Sequence, residues 1–350
     1  MKKYLFFAAF AILALAACKK DPVASVSADV ETIEAPSAGK TVKINLEANY
    51  AWAATIAGDA SIIVDPDQGT GNAEVTITVN ENLSDGPVAG TVTFSAKGGG
   101  STATTVINIT QEALTSVAYG GVNYKVKKLA DGNFWFVENL RYVPEGKTVT
   151  TDLTAIANGV WYPVATTVNG TKVTGVLTDN ADTVAVKGYL YNVEAALGVA
   201  AGTVTTENCM SFEGAQGICP DGWHLPTVDE IANLVGRVAN TKYDLKADPG
   251  PVTTAPYWDV DAGKALIKKA NADGFPVEPL TGWVSAGATA TSGSVVAMMS
   301  YFISSSAYVK DGVFKNQFFA IMANRTAGSC EGACMNYRGG APVRCIKNTK

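Results

Sequence analysis

The chemistry open to this chain is limited first by its single histidine, His224. A Ser-His-Asp or Cys-His catalytic site would have to use this residue, and so would a histidine-based metal site. Sites with two histidine ligands are excluded by the count alone. Because His224 lies between Trp223 and Leu225 at the entry to a predicted helix, we interpret it as a structural hydrogen-bonding residue. We predict no catalytic residue, no metal site and no cofactor.

The six cysteines are the second reactive group. Cys18 follows an apolar segment near the N-terminus, and the other five lie in the C-terminal half: Cys209, Cys219, Cys330, Cys334 and Cys345. A periplasm or a cell exterior is oxidising enough for disulfides to form among them. Because five is odd, at least one thiol stays free or pairs outside the chain.

The first 18 residues have the pattern of a bacterial export signal. Lys2 and Lys3 precede an uncharged apolar run at 4–17, which is shorter than the roughly 20 residues of a membrane-spanning helix. Leu15-Ala16-Ala17-Cys18 resembles the lipobox, in which the cysteine becomes acylated. The alternative is an ordinary secretory signal with a chance cysteine. We predict lipidation at Cys18 and an outer-membrane lipoprotein, with cell-surface exposure favoured and the periplasmic face left open.

Composition favours packed, strand-rich modules and argues against one class of partner. Hydrophobic residues make up 47% and charged residues 17%, which is typical of folded cores. The net charge is −5 with no basic block, so we expect no nucleic-acid partner. The 34 glycines and the frequent Thr and Val favour many short strands joined by tight turns.

Residues 22–113 show strand patterns of period two. Apolar and polar residues alternate in 41–49, 73–80 and 91–97, which predicts half-buried antiparallel strands. Turn sequences separate these strands, and the spacing predicts an all-β, immunoglobulin-like sandwich.

This module resembles a BACON domain in Trp52, the turn at 65–71, the strand at 75–80 and the closing segment at 107–111. An arginine usual in that family is absent near Gly86-Pro87. The resemblance implies a carbohydrate-related setting, in which Trp52 could stack on a sugar ring. We favour a core position for Trp52 and a spacer role for the module.

Residues 117–347 combine hairpins and helices. Turns at Gly120-Gly121 and Asp131-Gly132-Asn133 predict antiparallel pairing. After Pro226, Thr227 and Glu230 form a capping box before an apolar face of period 3.6. Further helices are predicted at 262–270 and 193–197. Helices beside antiparallel strands predict an α+β domain.

Six blocks of this module resemble the Fibrobacter succinogenes major paralogous domain, in the family's order. They lie at 135–142, 188–196, 219–227, 263–266, 274–276 and 343–347. Residues 302–305 stand where that family usually has Trp-Ser-Ser, and 143–187 matches no block. The resemblance implies a C-type-lectin-like fold in a lipoprotein of the Bacteroidetes type.

Since the two ends of a lectin-like domain lie together, the resemblance implies a Cys219–Cys345 disulfide. In the chain-entropy model such a bond is worth about 3–5 kcal/mol. The alternative is two buried thiols. Cys209 would then be left to pair with Cys330 or Cys334.

Aromatic residues gather in the late, Gly/Thr/Ser-rich stretches, which we expect to be loops. Because lectin-like folds bind ligands on long loops and sugars stack on aromatic faces, Trp258, Trp283 and Tyr308 are the candidate ligand-binding residues. Burial in the core is the alternative for each. A calcium lectin site is weakly indicated, because Glu278-Pro279-Leu280 keeps only part of the motif that such lectins use.

We therefore expect a non-enzymatic binding module for a glycan or a surface protein, anchored to the membrane through lipid. One alternative is a subunit of a surface assembly, such as a pilus tip adhesin. Another is an oxidase similar to formylglycine-generating enzymes, which use a C-terminal cysteine pair in the same fold, here Cys330 and Cys334. Fold alone does not establish that chemistry.

Overall fold

The computed structural model describes residues 21–165, 167–168, 171–172, 176–239, 283–286, 293–296, 299–310, 313–324, 329–336 and 338–348. The chain forms two compact units, Met1–Leu114 and Thr115–Lys350. Most of the described secondary structure is β-strand. Among the described residues, no helix is long and apolar enough to cross a membrane. The proposed signal segment at 1–18 lies outside the described residues.

The N-terminal unit consists of nine strands in two sheets. The strands are β1 (Val26–Ala28), β2 (Thr32–Ala35), β3 (Lys40–Ala48), β4 (Ala51–Gly58), β5 (Ile62–Asp65), β6 (Gln68–Thr70), β7 (Ala73–Val79), β8 (Val88–Gly98) and β9 (Ser101–Gln111). One sheet has the order β1-β3-β7-β5, and the other has the order β2-β9-β8-β4-β6. Strand β2 runs parallel to β9, and every other pair is antiparallel.

One hydrophobic core joins the two sheets, as the sequence alternation predicts. Ile44 and Val75 of the first sheet and Phe94 and Ile107 of the second are fully buried in the same cluster. Their neighbours along each strand are exposed or half-buried, because successive side chains point to opposite faces of a sheet. The predicted all-β sandwich is confirmed. The three strands predicted from alternation are also confirmed, and they correspond to β3, β7 and β8.

Trp52 of β4 belongs to this core. Its side chain is 3% exposed, and its Nε1 donates to the Gly71 carbonyl oxygen at 3.0 Å. The ring meets Phe94 edge-to-face with the centroids 5.6 Å apart. A ring packed in this way has no free face for a sugar, so the core interpretation of Trp52 is confirmed.

The C-terminal unit contains short helices and the remaining strands. The strands are β10 (Ser116–Tyr119), β11 (Val122–Lys128), β12 (Phe134–Phe136), β13 (Val160–Trp161), β14 (Thr167–Val168), β15 (Thr171–Lys172), β16 (Leu190–Tyr191), β17 (Trp223–His224), β18 (Trp283–Ala286), β19 (Gly293–Val296), β20 (Met299–Lys310), β21 (Val313–Asn324), β22 (Ser329–Asn336) and β23 (Ile346–Lys347). The helices are α1 (Ala181–Lys187), α2 (Val193–Leu197) and α3 (Val228–Ala239), with a 3-10 turn at Cys209–Phe212.

A five-stranded sheet of order β10-β11-β12-β23-β17 organises this unit. The Gly-Gly turn joins β10 to β11 with positive φ at both glycines, and the Asp-Gly-Asn turn precedes β12. Both predicted hairpin turns are therefore confirmed. Strand β23 lies between β12 and β17, so Ile346 is paired with both Trp135 and His224.

The predicted capping box is present at the start of α3. The Thr227 backbone N–H donates to Glu230 Oε2 at 2.8 Å, and the Glu230 N–H donates to Thr227 Oγ1 at 3.2 Å. Helix α2 covers the range predicted for it, whereas α1 was not predicted. The helix predicted at 262–270 lies outside the described residues. The α+β, lectin-like class of the unit stays a prediction.

A disulfide joins Cys219 to Cys345 across 126 positions of sequence, with the Cα atoms 5.8 Å apart. The predicted bond is thereby confirmed. Cys209 is buried and carries a free thiol, so its expected pairing with Cys330 or Cys334 is wrong.

Candidate functional site

Two of the three aromatic residues predicted to bind a ligand lie in strands in the described part of the chain. Trp283 begins β18, where it is paired with Val296 of β19, and Tyr308 lies in β20. The expectation that these two lie in loops is therefore wrong. Trp258 lies outside the described residues, as do Tyr257 and the Glu278-Pro279 segment.

His224 is held by polar partners on both ring nitrogens. Its Nδ1 lies 2.6 Å from Asn348 Oδ1, and its Nε2 lies 3.0 and 3.1 Å from the two oxygens of Glu230. Glu230 is also the carboxylate of the α3 capping box. The histidine thus ties the helix start to the segment after β23, which confirms its structural hydrogen-bonding role.

The ion pair between these two residues shifts both of their pKa values. Burial disfavours the charged form of His224, but the hydrogen bond and charge of Glu230, with help from Asn348, outweigh burial and raise the pKa of His224. Burial acts in the opposite direction on Glu230, and His224 together with Thr227 outweighs it and lowers the pKa of Glu230. Each group therefore stabilises the charge of the other.

A second polar cluster lies in the interior and connects the opening block, the residue before the 188–196 block and the closing block. Arg344 Nε donates to Asn139 Oδ1 at 2.7 Å, and Asn139 Nδ2 donates to the Lys187 carbonyl oxygen at 2.9 Å. The Lys187 amine donates to the Val164 carbonyl oxygen at 2.8 Å. Burial lowers the pKa of Lys187 to about 8 and that of Arg344 to about 9. These cations are enclosed by backbone and amide oxygens.

The 188–196 block likewise uses its polar side chains to hold backbone. Asn192 Oδ1 accepts from the Ala195 N–H and caps α2, while its Nδ2 donates to the Ile156 carbonyl oxygen. Glu194 Oε1 accepts from the Val204 N–H at 3.0 Å. The polar residues of this block therefore fix the path of the chain.

Two serines at and directly after the 302–305 stretch have the same kind of role. Ser305 Oγ accepts from the Gly214 N–H at 2.9 Å, and Ser306 Oγ accepts from the Val228 N–H at the start of α3. Both serines are buried. Among the described residues, no group of three or more His, Cys, Asp and Glu side chains is placed to hold a metal ion.

A half-exposed aromatic cluster that the sequence analysis missed lies on the C-terminal unit. Tyr119 and Tyr142 pack with their ring centroids 4.6 Å apart, and Tyr162 meets Tyr189 edge-to-face at 5.9 Å. Arg141 precedes Tyr142 in the chain, and its guanidinium lies 5.3 Å from the Tyr124 ring centroid. Its positive charge also acts on Tyr189. We call Tyr119, Tyr142, Tyr162, Tyr189 and Arg141 the tyrosine face.

The N-terminal unit has an open cleft of about 620 Å³ beside the ends of β2, β8 and β9. Gln111 contributes to its lining, but its Nε2 is used by carbonyl oxygens of Pro36 and Asn80. Glu34 and Glu112 supply the charged groups of the lining. Nothing in this cleft combines a nucleophile with a base.

Comparison with known proteins finds one family and distant structural similarities. Residues 130–347 match the family model of the Fibrobacter succinogenes major domain. No curated protein matches the chain.

Three solved structures show the range of the structural matches. A PapD-like domain of human CEP192 covers 32% of this chain and 97% of its own, at 12% identity and a TM-score of 0.22. The Caenorhabditis elegans MSP family member WR4 covers 25% and 96%, at 15% identity and a TM-score of 0.19. A Bacteroides ovatus GH5 xyloglucanase in complex with a heptasaccharide covers 72% of this chain and 44% of its own, at 15% identity and a TM-score of 0.24. At these scores the similarities carry no argument about fold or function.

Proposed function

The chain belongs to the Fibrobacter succinogenes major domain family, and from this premise we propose that it is an outer-membrane lipoprotein whose C-terminal unit binds a glycan or a partner surface without catalysing a reaction. Its N-terminal unit, which we propose to be a BACON-type, immunoglobulin-like sandwich, acts as a spacer. For the C-terminal unit we propose a C-type-lectin-like fold.

The disulfide between Cys219 and Cys345 is the observation that supports an extracytoplasmic location. Disulfides persist in oxidising compartments and are rare in the cytosol. The apolar run that ends at Cys18 supplies the matching export signal in the sequence. Together these features support export followed by attachment of lipid at Cys18.

A binding role is supported by what the polar residues of the family blocks do. Asn139, Asn192, Glu194 and His224 are all engaged with backbone or with neighbouring side chains. A catalytic acid, base or nucleophile needs to face a substrate. The aromatic surface of the same unit is instead suited to recognition, since half-exposed rings offer large contact areas with a polar edge.

The proposal is tested with a glycan array probed by the full chain carrying Cys18→Ser, which removes the lipid attachment point. We expect retention of a defined set of glycans, and loss of binding on Trp283→Ala or Tyr308→Ala if those residues contribute. Binding that survives both substitutions would exclude Trp283 and Tyr308 from the binding site, and the assignment of binding to the C-terminal unit would stand. Turnover of a retained glycan, seen as shorter products, would contradict the non-enzymatic role.

A further inference from the structure

The tyrosine face combines four phenol rings that are each half-buried. They come from separate segments: the end of β10, the segment after β12, the segment after β13 and the residue before β16. Tyr119 stacks with Tyr142, and Tyr162 packs against Tyr189. Tyrosine and arginine are enriched where proteins bind partners, because they combine large contact area with polar groups. The face therefore has the composition of a recognition surface.

The backbone below the face is fixed before any ligand arrives. The Tyr189 N–H donates to the Leu140 carbonyl oxygen at 2.9 Å, and the Tyr191 hydroxyl donates to the Tyr142 carbonyl oxygen at 2.7 Å. Gly120 has φ of +56°, and a Cβ there would lie 2.8 Å from Cδ2 of Tyr142. The ring of Tyr142 thus lies directly against a glycine turn. Preorganised side chains lose little conformational freedom on binding.

Arg141 is the positively charged hydrogen-bond donor of the face. Its side chain is 17% exposed, and Nη1 donates to the Ala185 carbonyl oxygen at 3.1 Å. Nη2 lies 3.7 Å from Glu138 Oε1, which is beyond hydrogen-bond distance, and Nε has no hydrogen-bond partner. Because Nε is buried, the N–H groups of the guanidinium that could meet a ligand are those of Nη1 and Nη2.

The charged groups near the face are one cation and two carboxylates. Glu138 faces the guanidinium of Arg141, and the carboxylate of Asp221 is close enough to act on Tyr119. One cation with two carboxylates nearby would repel a polyanion, while the guanidinium would disfavour a cationic ligand. Sugar rings present apolar C–H faces that stack on aromatic rings and hydroxyls that pair with phenols, guanidinium and carboxylate groups. The chemistry of the face therefore matches an uncharged polyhydroxyl ligand.

We propose that the tyrosine face is the surface on which the C-terminal unit binds a neutral glycan chain. This inference rests on the proposed function and gives it a location and a ligand class. The ring pair Tyr119–Tyr142 and the ring pair Tyr162–Tyr189 provide two stacking positions, and Arg141, which precedes Tyr142 in the chain, provides a hydroxyl-binding group. Neither pair includes the aromatic residues of β18 or β20.

The test measures binding of the full chain carrying Cys18→Ser to neutral xylan, β-glucan and galactan oligosaccharides and to polygalacturonate. We expect Tyr142→Ala and Tyr162→Ala each to weaken neutral-glycan binding by about tenfold or more, as for an interface anchor. Tyr162→Phe keeps the ring and should lose less. Tyr50→Ala, which removes a tyrosine of the N-terminal unit, is the matched control and should bind like the unaltered chain. Thermal unfolding of each variant, followed alongside, identifies any that do not fold, and Tyr162→Phe and Arg141→Lys then carry the test.

The possible results are distinct. Loss in the face variants with an unchanged Tyr50→Ala supports the proposal. If folded variants of the tyrosine face bind neutral glycans unchanged, the tyrosine face is not the binding surface, and the proposed function still stands. Preference for polygalacturonate overturns the ligand class. Retention of no glycan by the unaltered chain overturns this inference and the glycan-binding part of the proposed function together, leaving a protein partner.

Discussion

Arg344 donates a buried hydrogen bond of 2.7 Å to the side-chain oxygen of Asn139, which lies 205 residues earlier in the chain. The Nδ2 atom of the same asparagine donates a hydrogen bond to the Lys187 carbonyl oxygen. One amide therefore connects the opening block, the residue before the 188–196 block and the closing block. Although these blocks are far apart in sequence, they meet in the interior.

We predict that Asn139→Ala destabilises the C-terminal unit by about 3 kcal/mol, because it leaves a buried guanidinium without this acceptor. Denaturant unfolding followed by tryptophan fluorescence measures the change. Asn180→Ala is the control, since Asn180 caps α1 through the Thr183 N–H and is exposed. Loss of that cap should cost only about 1 kcal/mol. Equal effects of the two substitutions would contradict the interior role of Asn139.

Removing the disulfide should lower the free energy of unfolding substantially. The double variant Cys219→Ser/Cys345→Ser opens a loop of 126 positions, for which the chain-entropy model gives about 5 kcal/mol. Non-reducing peptide mass spectrometry checks the bond directly, and thermal unfolding checks its effect. Cys209→Ser is the control, because its thiol is free. Finding free thiols at both 219 and 345 in the purified protein would rule out the bond.

The His224–Glu230 pair predicts a specific pH dependence of stability. The folded-state pKa of His224 is raised from 6.5, so its contribution is complete below that value and is lost as the pH rises through the raised pKa. The pKa of Glu230 is lowered from 4.5, so its contribution is present above that value and is lost as the pH falls through the lowered pKa. The pair therefore stabilises most at pH values between 4.5 and 6.5.

His224→Gln measures this contribution. The difference in melting temperature between the variant and the unaltered chain should be larger at about pH 5.5 than at about pH 8.5, because the histidine loses its proton as the pH rises through its raised pKa. Glu230→Gln removes the other charge and should show the same trend. A difference that is constant across this range would exclude the charged pair as its cause.

Lipidation is predicted at Cys18. Cells grown with a fatty-acid probe should label the unaltered chain and leave Cys18→Ser unlabelled, because the thiol is the acylated atom. Protease treatment of intact cells, carried out on the labelled strain, separates surface exposure from the periplasmic face. Equal labelling of both chains would leave an ordinary secretory signal as the explanation.

Local sequence patterns predicted the elements whose structure is decided by one apolar face or by the residues at one end. Strand β7 follows directly from its alternation, and α3 follows from the Thr227–Glu230 capping box. Helix α1 was missed because only its last residue, Lys187, is buried, so the sequence shows no apolar stripe. The long strand β20 was taken for loop because its small and hydroxyl residues fit either state, and pairing with β21 decided the outcome.

The tyrosine face was beyond prediction for a different reason. Its tyrosines lie at 119, 142, 162 and 189, and no spacing rule connects positions so far apart. They meet because the segment at 140–142 runs beside β16, a tertiary pairing that depends on the whole unit. The Cys219–Cys345 bond was predictable only because a known family supplied the proximity of its two cysteines.

Strand β23 occupies an interior position in the five-stranded sheet, although residues 346–347 are the last of that sheet to be synthesised. Until Ile346 has been synthesised, β12 and β17 have no partner between them and Cys345 is not available for oxidation. Such long-range closure is slow compared with hairpin formation. The central sheet of the unit therefore stays open until residues 346–347 have been made. A ribosome that stops even a few codons before position 345 leaves a product that cannot complete the sheet.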